Sequence, residues 1–214
     1  MKTTNTHLTL FGATGGIGRA LLEQALARGH RVTALARDPS KLPEHPRLSV
    51  VEGDVHDPAV VRLALKNTDA VLVALGAPAL SKSRVRSEGT QTIVNAMRAE
   101  KIRRLVCVSV LGAGDSKKDL PALYRWIIFP TYLRRPLQEH EAQEAIIRTS
   151  GLDWTLVRPP NLTDGPSTGD FWHGLGTPDA DLTLKISRAD VAGFMLQQLE
   201  SAAYLRSAPA LSYA

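Results

Sequence analysis

The sequence predicts a single-domain, doubly wound α/β fold, in which helices cover both faces of a parallel sheet. β-prone runs alternate with segments that carry apolar residues at helical spacing, a pattern typical of parallel sheets with right-handed crossovers. A chain of 214 residues that is 43% hydrophobic can bury one substantial core. We expect one domain over residues 1–214, with small substrate-site insertions around residues 111–136 and 161–181.

The first half of the chain alternates strand and helix without interruption. The predicted strands cover residues 7–11, 31–36, 48–52 and 70–75. The predicted helices cover residues 16–28, 58–66 and 84–100, and Gly29 closes the first of them at its C-terminal end. This order is that of successive β-α-β units.

The second half continues the alternation around less regular segments. Predicted strands at residues 104–110 and 154–158 flank an irregular stretch and a helix over residues 137–149. Pro159 and Pro160 stop the sixth strand, and the loop over residues 161–181 is polar and rich in glycine. Ser187 and Asp190 resemble a capping box that opens a last helix over residues 188–200.

Glycines stand at positions 12, 15 and 18, where the first strand passes into the first helix. Gly12 permits a tight turn, Gly15 lets the backbone approach a pyrophosphate, and Gly18 lets helix and sheet pack closely. The free N–H groups at the helix N-terminus suit a diphosphate. The sequence therefore predicts a dinucleotide-binding Rossmann fold, whose phosphate loop also includes Thr14, Gly16 and Ile17.

The end of the second predicted strand bears on the choice of dinucleotide. Arg37 stands where NAD-binding proteins usually carry a carboxylate for the ribose 2′-hydroxyl. A guanidinium can instead bind a 2′-phosphate through paired charged hydrogen bonds, with Ser40 or Lys41 as helpers. Asp38 either turns inward or forms a turn before Pro39. The sequence favours NADP(H) over NAD(H).

The glycine spacing G-x-x-G-x-x-G resembles that of the short-chain dehydrogenase/reductase superfamily, especially its extended and atypical branches. Further along, the chain resembles the biliverdin-IXβ reductase/flavin reductase group of atypical members, within the NmrA-like set. The resemblance spans nearly the whole chain and rests on the loop at 12–18, Arg37-Asp38, Gly53-Asp54-Val55, Ser87-Glu88-Gly89, Cys107 with Ser109, Ser150-Gly151-Leu152 and Pro159-Pro160.

The resemblance implies roles for residues along the cofactor. Asp54, with Val55 beside it, would meet the adenine edge, although Asp54 could instead cap the helix that follows. Gly76 would let the ribose approach, or is a plain turn glycine. Ser109 would lie beside the nicotinamide and the substrate, its alternative role being a helix or turn cap.

Three further candidates stand near the predicted reaction centre. His140 matches a histidine of the reductase group, and is either a catalytic or cofactor contact or simply exposed. Asn161 replaces another histidine of that group beside the nicotinamide. Cys107 is a candidate cofactor contact or, as a lone cysteine, a buried structural thiol. No metal site is predicted.

The catalytic pair of the larger short-chain family is missing. That family places Tyr-x-x-x-Lys on one helical face, where the ammonium lowers the pKa of the phenol so that it exchanges a proton with a carbonyl substrate. This chain has no such pair, and His140 stands where related atypical members carry the lysine. An extended conjugated acceptor spreads the arriving charge and can be protonated by solvent, so such acceptors are favoured over isolated ketones.

Three functions are consistent with these observations. The leading one is an NADPH-dependent reductase of a planar conjugated acceptor, such as a flavin, a linear tetrapyrrole or a quinone. Trp126, Phe129 and Tyr132 could form the roof over such a substrate or pack against the sheet. The second is a non-catalytic NmrA-like redox sensor that binds NADP(H) and a protein partner. An epimerase-like enzyme is less favoured, because the region after the sixth strand is short for a sugar-nucleotide domain.

Composition limits the partners and the compartment. A net charge of +5 and a pI near 9.6 suit an anionic partner, which could be a dinucleotide, an acidic substrate or nucleic acid. Scattered basic residues and 5% aromatic content make nucleic acid an unlikely partner. Without an apolar run of about 20 residues or a secretory signal, we expect a soluble cytoplasmic protein, with a monomer favoured.

Overall fold

A six-stranded parallel sheet forms the centre of the computed structural model, which describes residues 6–78, 81–119, 134–176 and 182–214. The strand order is β3-β2-β1-β4-β5-β6. The strands are β1 His7–Phe11, β2 Arg31–Ala36, β3 Leu48–Glu52, β4 Ala70–Val73, β5 Arg104–Val108 and β6 Asp153–Val157. The order reverses direction between β1 and β4, and ligands of such sheets bind outside the carboxyl ends of the strands at this switch point. The predicted doubly wound fold is confirmed.

Helices cover both faces of the sheet. They are α1 Gly16–Ala27, α2 Pro58–Ala64, α3 Val85–Ala99, α4 Arg134–Arg148 and α5 Arg188–Gln197. Helices α1 and α5 pack together on one face, while α3 packs against both α2 and α4 on the other. Each face therefore has its own hydrophobic core, and the sheet separates the two.

The central strands supply both cores because successive side chains point to opposite faces. In β1, Leu8 and Leu10 pack in the core beneath α1 and α5, together with Phe194. Phe11 packs in the other core with Met97 of α3. All of these side chains are fully buried or nearly so. The continuous apolar runs in the sequence are those of strands buried on both faces.

Two predicted strands are shorter in the structure than in the prediction. The strands predicted at 70–75 and 104–110 end at Val73 and Val108. The residues that follow, including Ala74, Leu75, Ser109 and Val110, line the cleft described below. Apolar residues continue past both strand ends, which is why the sequence pattern does not mark the boundary.

Two small pairs of strands lie beside the main sheet. β7 Asn161–Thr163 pairs in parallel with β9 Lys185–Ser187, and β8 Trp172–Gly174 pairs antiparallel with β10 Ala210–Ser212. The predicted loop over residues 161–181 therefore contains two strands. Three residues are too few for an alternating pattern to show in the sequence.

Ser187 caps α5 as predicted, but the reciprocal bond of a capping box is not formed, because the Ser187 backbone N–H donates to the Tyr213 hydroxyl instead. The backbone N–H of Asp190 donates to Ser187 Oγ (2.9 Å), and the Asp190 carboxylate also accepts from the backbone N–H groups of Thr168 and Gly169. Burial alone would raise the pKa of Asp190, but these bonds and one from the Tyr213 hydroxyl hold it well below its usual range. Asp190 thus fixes the loop before β8 onto α5.

The described ranges contain no helix that is both long and apolar enough to cross a membrane. The aromatic piece that includes Trp126, Phe129 and Tyr132 lies outside the described residues, as do residues 177–181 of the second predicted insertion.

Candidate functional site

A cleft of about 750 Å³ runs along the carboxyl ends of the parallel strands. The segments that follow all six strands contribute to its walls. Most of the predicted site residues line it, namely Gly12, Thr14, Gly15, Gly16, Ile17, Arg37, Asp54, Val55, Gly76, Ser109 and His140. Gly18 lies directly beneath the cleft floor, where α1 meets β1. Predicted site residues as far apart in the sequence as Gly12 and His140 thus lie along the same edge of the sheet.

Two glycines of the loop are required by close backbone contacts. Gly12 has a φ of +89°, and a Cβ there would overlap the carbonyl group of Ala74. A Cβ at Gly18 would overlap the carbonyl oxygen of Gly12. These contacts hold the turn tightly between β1, β4 and α1, so that the N-terminus of α1 opens directly into the cleft.

The N-terminus of α1 has the features of an anion cradle. Its N-cap residue, Gly15, has no side chain to cap the helix, and the first turn carries no acidic residue. Gly15 and Gly16 are exposed. The first N–H groups of a helix lack partners within the helix, and together with the helix dipole they attract a phosphate. The loop therefore fits a dinucleotide's diphosphate.

Arg188 lies over this cradle, and sequence reasoning missed it. A Cβ at Gly16 would come within 2.6 Å of the Arg188 Cδ atom, so the two residues are in contact across the cleft. The Arg188 guanidinium pairs with Asp164, whose side chain is almost fully exposed. Because the Asp164 carboxylate lies in solvent, the pair contributes little stability, and the guanidinium is available to a bound anion.

Arg37 lies at one end of the cleft with an exposed side chain. Asp38 turns away and accepts hydrogen bonds from the backbone and hydroxyl of Ser40, and its carboxylate pairs with the Lys41 ammonium at 3.1 Å. Asp38 is therefore the turn former. The prediction that Lys41 helps at the phosphate site is corrected, because Lys41 does not line the cleft.

Asp54 faces the same end of the cleft. It accepts hydrogen bonds from the backbone N–H and the Nδ1 atom of His56, while Asp57 caps α2 in its place. The bond from the His56 backbone is the leading cause that lowers the pKa of Asp54, and the charge of Arg37 adds to it. The alternative of Asp54 as the N-cap is wrong. His56, which the sequence did not single out, also lines the cleft.

Ser109 marks the other end of the cleft, and a buried ion pair holds its hydroxyl. The Ser109 Oγ atom donates to Glu144 Oε1 at 2.7 Å. Arg158 donates to both carboxylate oxygens of Glu144, at 2.8 and 2.6 Å. Glu144 is 3% exposed and Arg158 is 2% exposed. The Ser109 hydroxyl donates its hydrogen to Glu144, so the lone pairs of Oγ remain free to accept a hydrogen bond from a ligand.

His140 lies in α4 and lines the Ser109 end of the cleft. Burial lowers the pKa of His140 to about 3, and the charge of Arg86 acts in the same direction. The imidazole is therefore neutral near neutral pH. Its Nδ1 atom is buried and has no hydrogen-bond partner among the described residues.

Two predicted contacts are corrected by the structure. The Asn161 side chain donates to the Leu184 carbonyl (3.1 Å) at the start of β7, and the next residue, Leu162, lines the cleft instead. Cys107 points into the core shared by α3 and α4, is fully buried, and does not line the cleft. Burial raises the pKa of the Cys107 thiol, so it is the structural thiol.

In the part of the chain that the structure describes, no group of three or more His, Cys, Asp or Glu side chains is arranged to hold a metal ion.

Known proteins resemble this chain in sequence and in fold. A family model described as NAD(P)H-binding matches residues 12–202. The uncharacterized protein YwnB of Bacillus subtilis is 30% identical over 199 residues, covering 89% of this chain and 91% of that protein.

Solved structures give the same result. An anaerobillin reductase, ChuY of Escherichia coli O157:H7, has a TM-score of 0.79 and 27% identity, covering 96% of both chains. A short-chain dehydrogenase/reductase of Veillonella parvula in complex with NADP has a TM-score of 0.82 at 22% identity, covering 96% of this chain and 94% of that one. At 22% identity, the similarity to the Veillonella parvula protein shows a shared fold and no more.

The glycine cradle, the switch-point cleft and the family match all indicate a nicotinamide cofactor. The family model covers most of the chain, so the chain belongs to the NAD(P)H-binding family.

Proposed function

We propose that the protein is an NADPH-dependent reductase of planar conjugated acceptors. The observation that carries the proposal is the hydrogen bond from Ser109 to the buried Glu144 (2.7 Å), which uses the hydroxyl proton at the reactive end of the cleft. His140 beside it is neutral, and the sequence has no Tyr-x-x-x-Lys pair. The described residues of the site offer no ready side-chain acid, which suits an acceptor that does not need one.

Three cationic or N–H groups would hold the cofactor. The N-terminus of α1 would bind the pyrophosphate, with the Arg188 guanidinium over it. Arg37 would bind the 2′-phosphate, since its guanidinium can make paired charged hydrogen bonds to phosphoryl oxygens. Asp54 and Val55 would line the adenine, and Gly76 leaves room for a ribose.

When bound, the reduced nicotinamide supplies a hydride, which brings both electrons to the acceptor. The Ser109 oxygen would accept a hydrogen bond from an amide N–H of the cofactor or the acceptor, and so fix its orientation. Val108, Pro159 and Leu162 give this end of the cleft apolar walls. The reduced acceptor takes its proton from solvent, so no side chain of the cleft changes its protonation state.

The relatives support a reductase. The Escherichia coli relative is an anaerobillin reductase, and its structure matches this chain almost completely at 27% identity. A reductase with this architecture supports hydride transfer as the reaction of the cleft.

The experiment is a turnover assay of purified protein with NADPH against FMN, biliverdin, quinones and simple ketones. We expect NADPH oxidation with at least one conjugated acceptor and none with the ketones. Turnover with the ketones alone would contradict the proposal. Tight NADP(H) binding without turnover by any acceptor would indicate the non-catalytic sensor instead.

A further inference from the structure

The Ser109 end of the cleft contains a cationic side chain, Arg86, that forms no direct ion pair with a carboxylate of the described residues. Arg86, in the first turn of α3, lines the cleft with a half-buried side chain. No Asp or Glu of the described residues forms an ion pair with it, and its Nε atom is buried without a hydrogen-bond partner. Burial lowers the pKa of Arg86, against the opposing charge of Glu139.

The position of Arg86 destabilises the folded state, and no contact among the described residues compensates for it. A buried donor without a partner costs about 1–3 kcal/mol, and more when it is charged. The first turn of a helix also disfavours a cation, because the helix dipole is positive there. His140 lies within electrostatic reach of Arg86, and Gln143 is its neighbour on the same helix. The Arg86 Nε atom is always a donor, so its lack of a partner among the described residues indicates a missing acceptor group at this end of the cleft.

A second groove continues from this point and is cationic. Its volume is about 230 Å³, and it shares Arg86 and the neighbouring Ala77–Pro78 and Ser81 walls with the cleft. Lys82, Arg84 and Arg135 also line it.

One acidic residue, Glu139, lines this groove in the part of the chain described by the structure. Its carboxylate already accepts hydrogen bonds from the hydroxyl and the backbone N–H of Ser87, at 2.9 and 3.3 Å. The groove therefore keeps a surplus of positive charge next to the reactive end of the cleft.

We propose that the acceptor is anionic, and that its carboxylate or phosphate group binds Arg86 at the mouth of the cationic groove. The inference rests on the proposed reductase function and narrows its substrate class to acidic planar acceptors, so neutral quinones would be poor substrates. The α1 cradle and Arg37 would serve the cofactor's phosphates, which leaves Arg86 for an acidic group of the acceptor.

Matched acceptors that share one ring system test this inference. FMN and riboflavin differ by a phosphate, and biliverdin and its dimethyl ester differ by ionised carboxylates. Affinity is measured without turnover, by titrating each acceptor into the NADP⁺-loaded protein, and kcat/KM is measured with NADPH. We expect the preferred anionic member of a pair to bind about tenfold to a hundredfold more tightly than its neutral partner.

Arg86→Met should remove most of that preference, and Lys82→Met with Arg135→Met should reduce it. Arg62→Met, which removes an exposed charge from α2, is the matched control and should retain it. An unchanged NADP⁺ affinity shows that each variant is folded.

Equal affinity for the charged and neutral members of both pairs would overturn the inference, as would a preference that survives in Arg86→Met. A preference for FMN alone assigns a phosphate site, and one for biliverdin alone a carboxylate site. Anion-selective binding without any turnover would support the acidic-group site while contradicting the reductase function. Turnover without a preference for the anionic acceptors would support the reductase function and contradict the acidic-group site.

Discussion

Charge reversal at Arg37 will weaken NADPH binding by about a hundredfold or more and will change NADH binding far less. The Arg37→Glu variant loses charged hydrogen bonds worth about 1.5–3 kcal/mol and adds repulsion between the new carboxylate and the 2′-phosphate. NADH has no phosphate at that position. Calorimetric titration of both cofactors into the variant measures the two effects together.

The neighbouring side chains make Arg37 the decisive residue at that end of the cleft. Ser40 and Lys41 do not line the cleft and are therefore not placed to replace it. Arg31→Glu, at the opposite end of the same strand, changes the net charge equally and serves as the control. A fall in NADPH affinity that is equal in both variants would mean that general charge, rather than a contact at Arg37, attracts the cofactor.

Removal of the Glu144 carboxylate will cost about 3–5 kcal/mol of unfolding free energy, because Glu144→Ala leaves the buried Arg158 guanidinium without its main partner. Asp115, which also accepts from Arg158 at 2.7 Å, is largely exposed and compensates poorly. Urea denaturation measures the loss. The same variant frees the Ser109 hydroxyl proton, so the orientation of the cofactor should suffer as well.

Two variants separate the ion pair from other causes. Glu141→Ala, in the same helix, removes a partly exposed carboxylate and should change stability little. The double variant Glu144→Met, Arg158→Met removes both buried charges and should recover most of the loss. If the double variant is as unstable as Glu144→Ala, packing rather than the unpaired charge is the cause.

Residues whose role is set by local backbone geometry were predicted well from the sequence. Gly12 and Gly18 are needed by contacts within one β-α-β unit, and the Ser187–Asp190 cap spans a single helical turn. Arg37 follows its strand directly, so its position at the cleft needed only the strand's end. In each case, the residues that determine the geometry are near each other in the sequence or in one repeated motif.

Residues that act through distant partners could not be predicted in this way. Arg188 reaches Gly16 across 172 positions in the numbering, and Glu144 meets Ser109 from another element. Arg86 did carry a signal, since a cation in the first turn of a helix opposes the helix dipole.

The incorrect predictions have equally local causes. Lys41 is captured by Asp38 three positions earlier, and Cys107 is on the side of β5 that faces the core. Asn161 begins a three-residue strand, and its pairing with β9 directs its side chain to Leu184. Each of these errors concerns the direction in which the side chain points.

Titration of NADPH and NADH into the wild-type protein tests the binding of a phosphorylated nicotinamide dinucleotide in the cleft most directly. We expect saturable heat with both, and an affinity for NADPH at least about tenfold higher, given one charged contact to the extra phosphate. Tighter binding of NADH would contradict the role of Arg37. No heat from either cofactor would contradict the account as a whole.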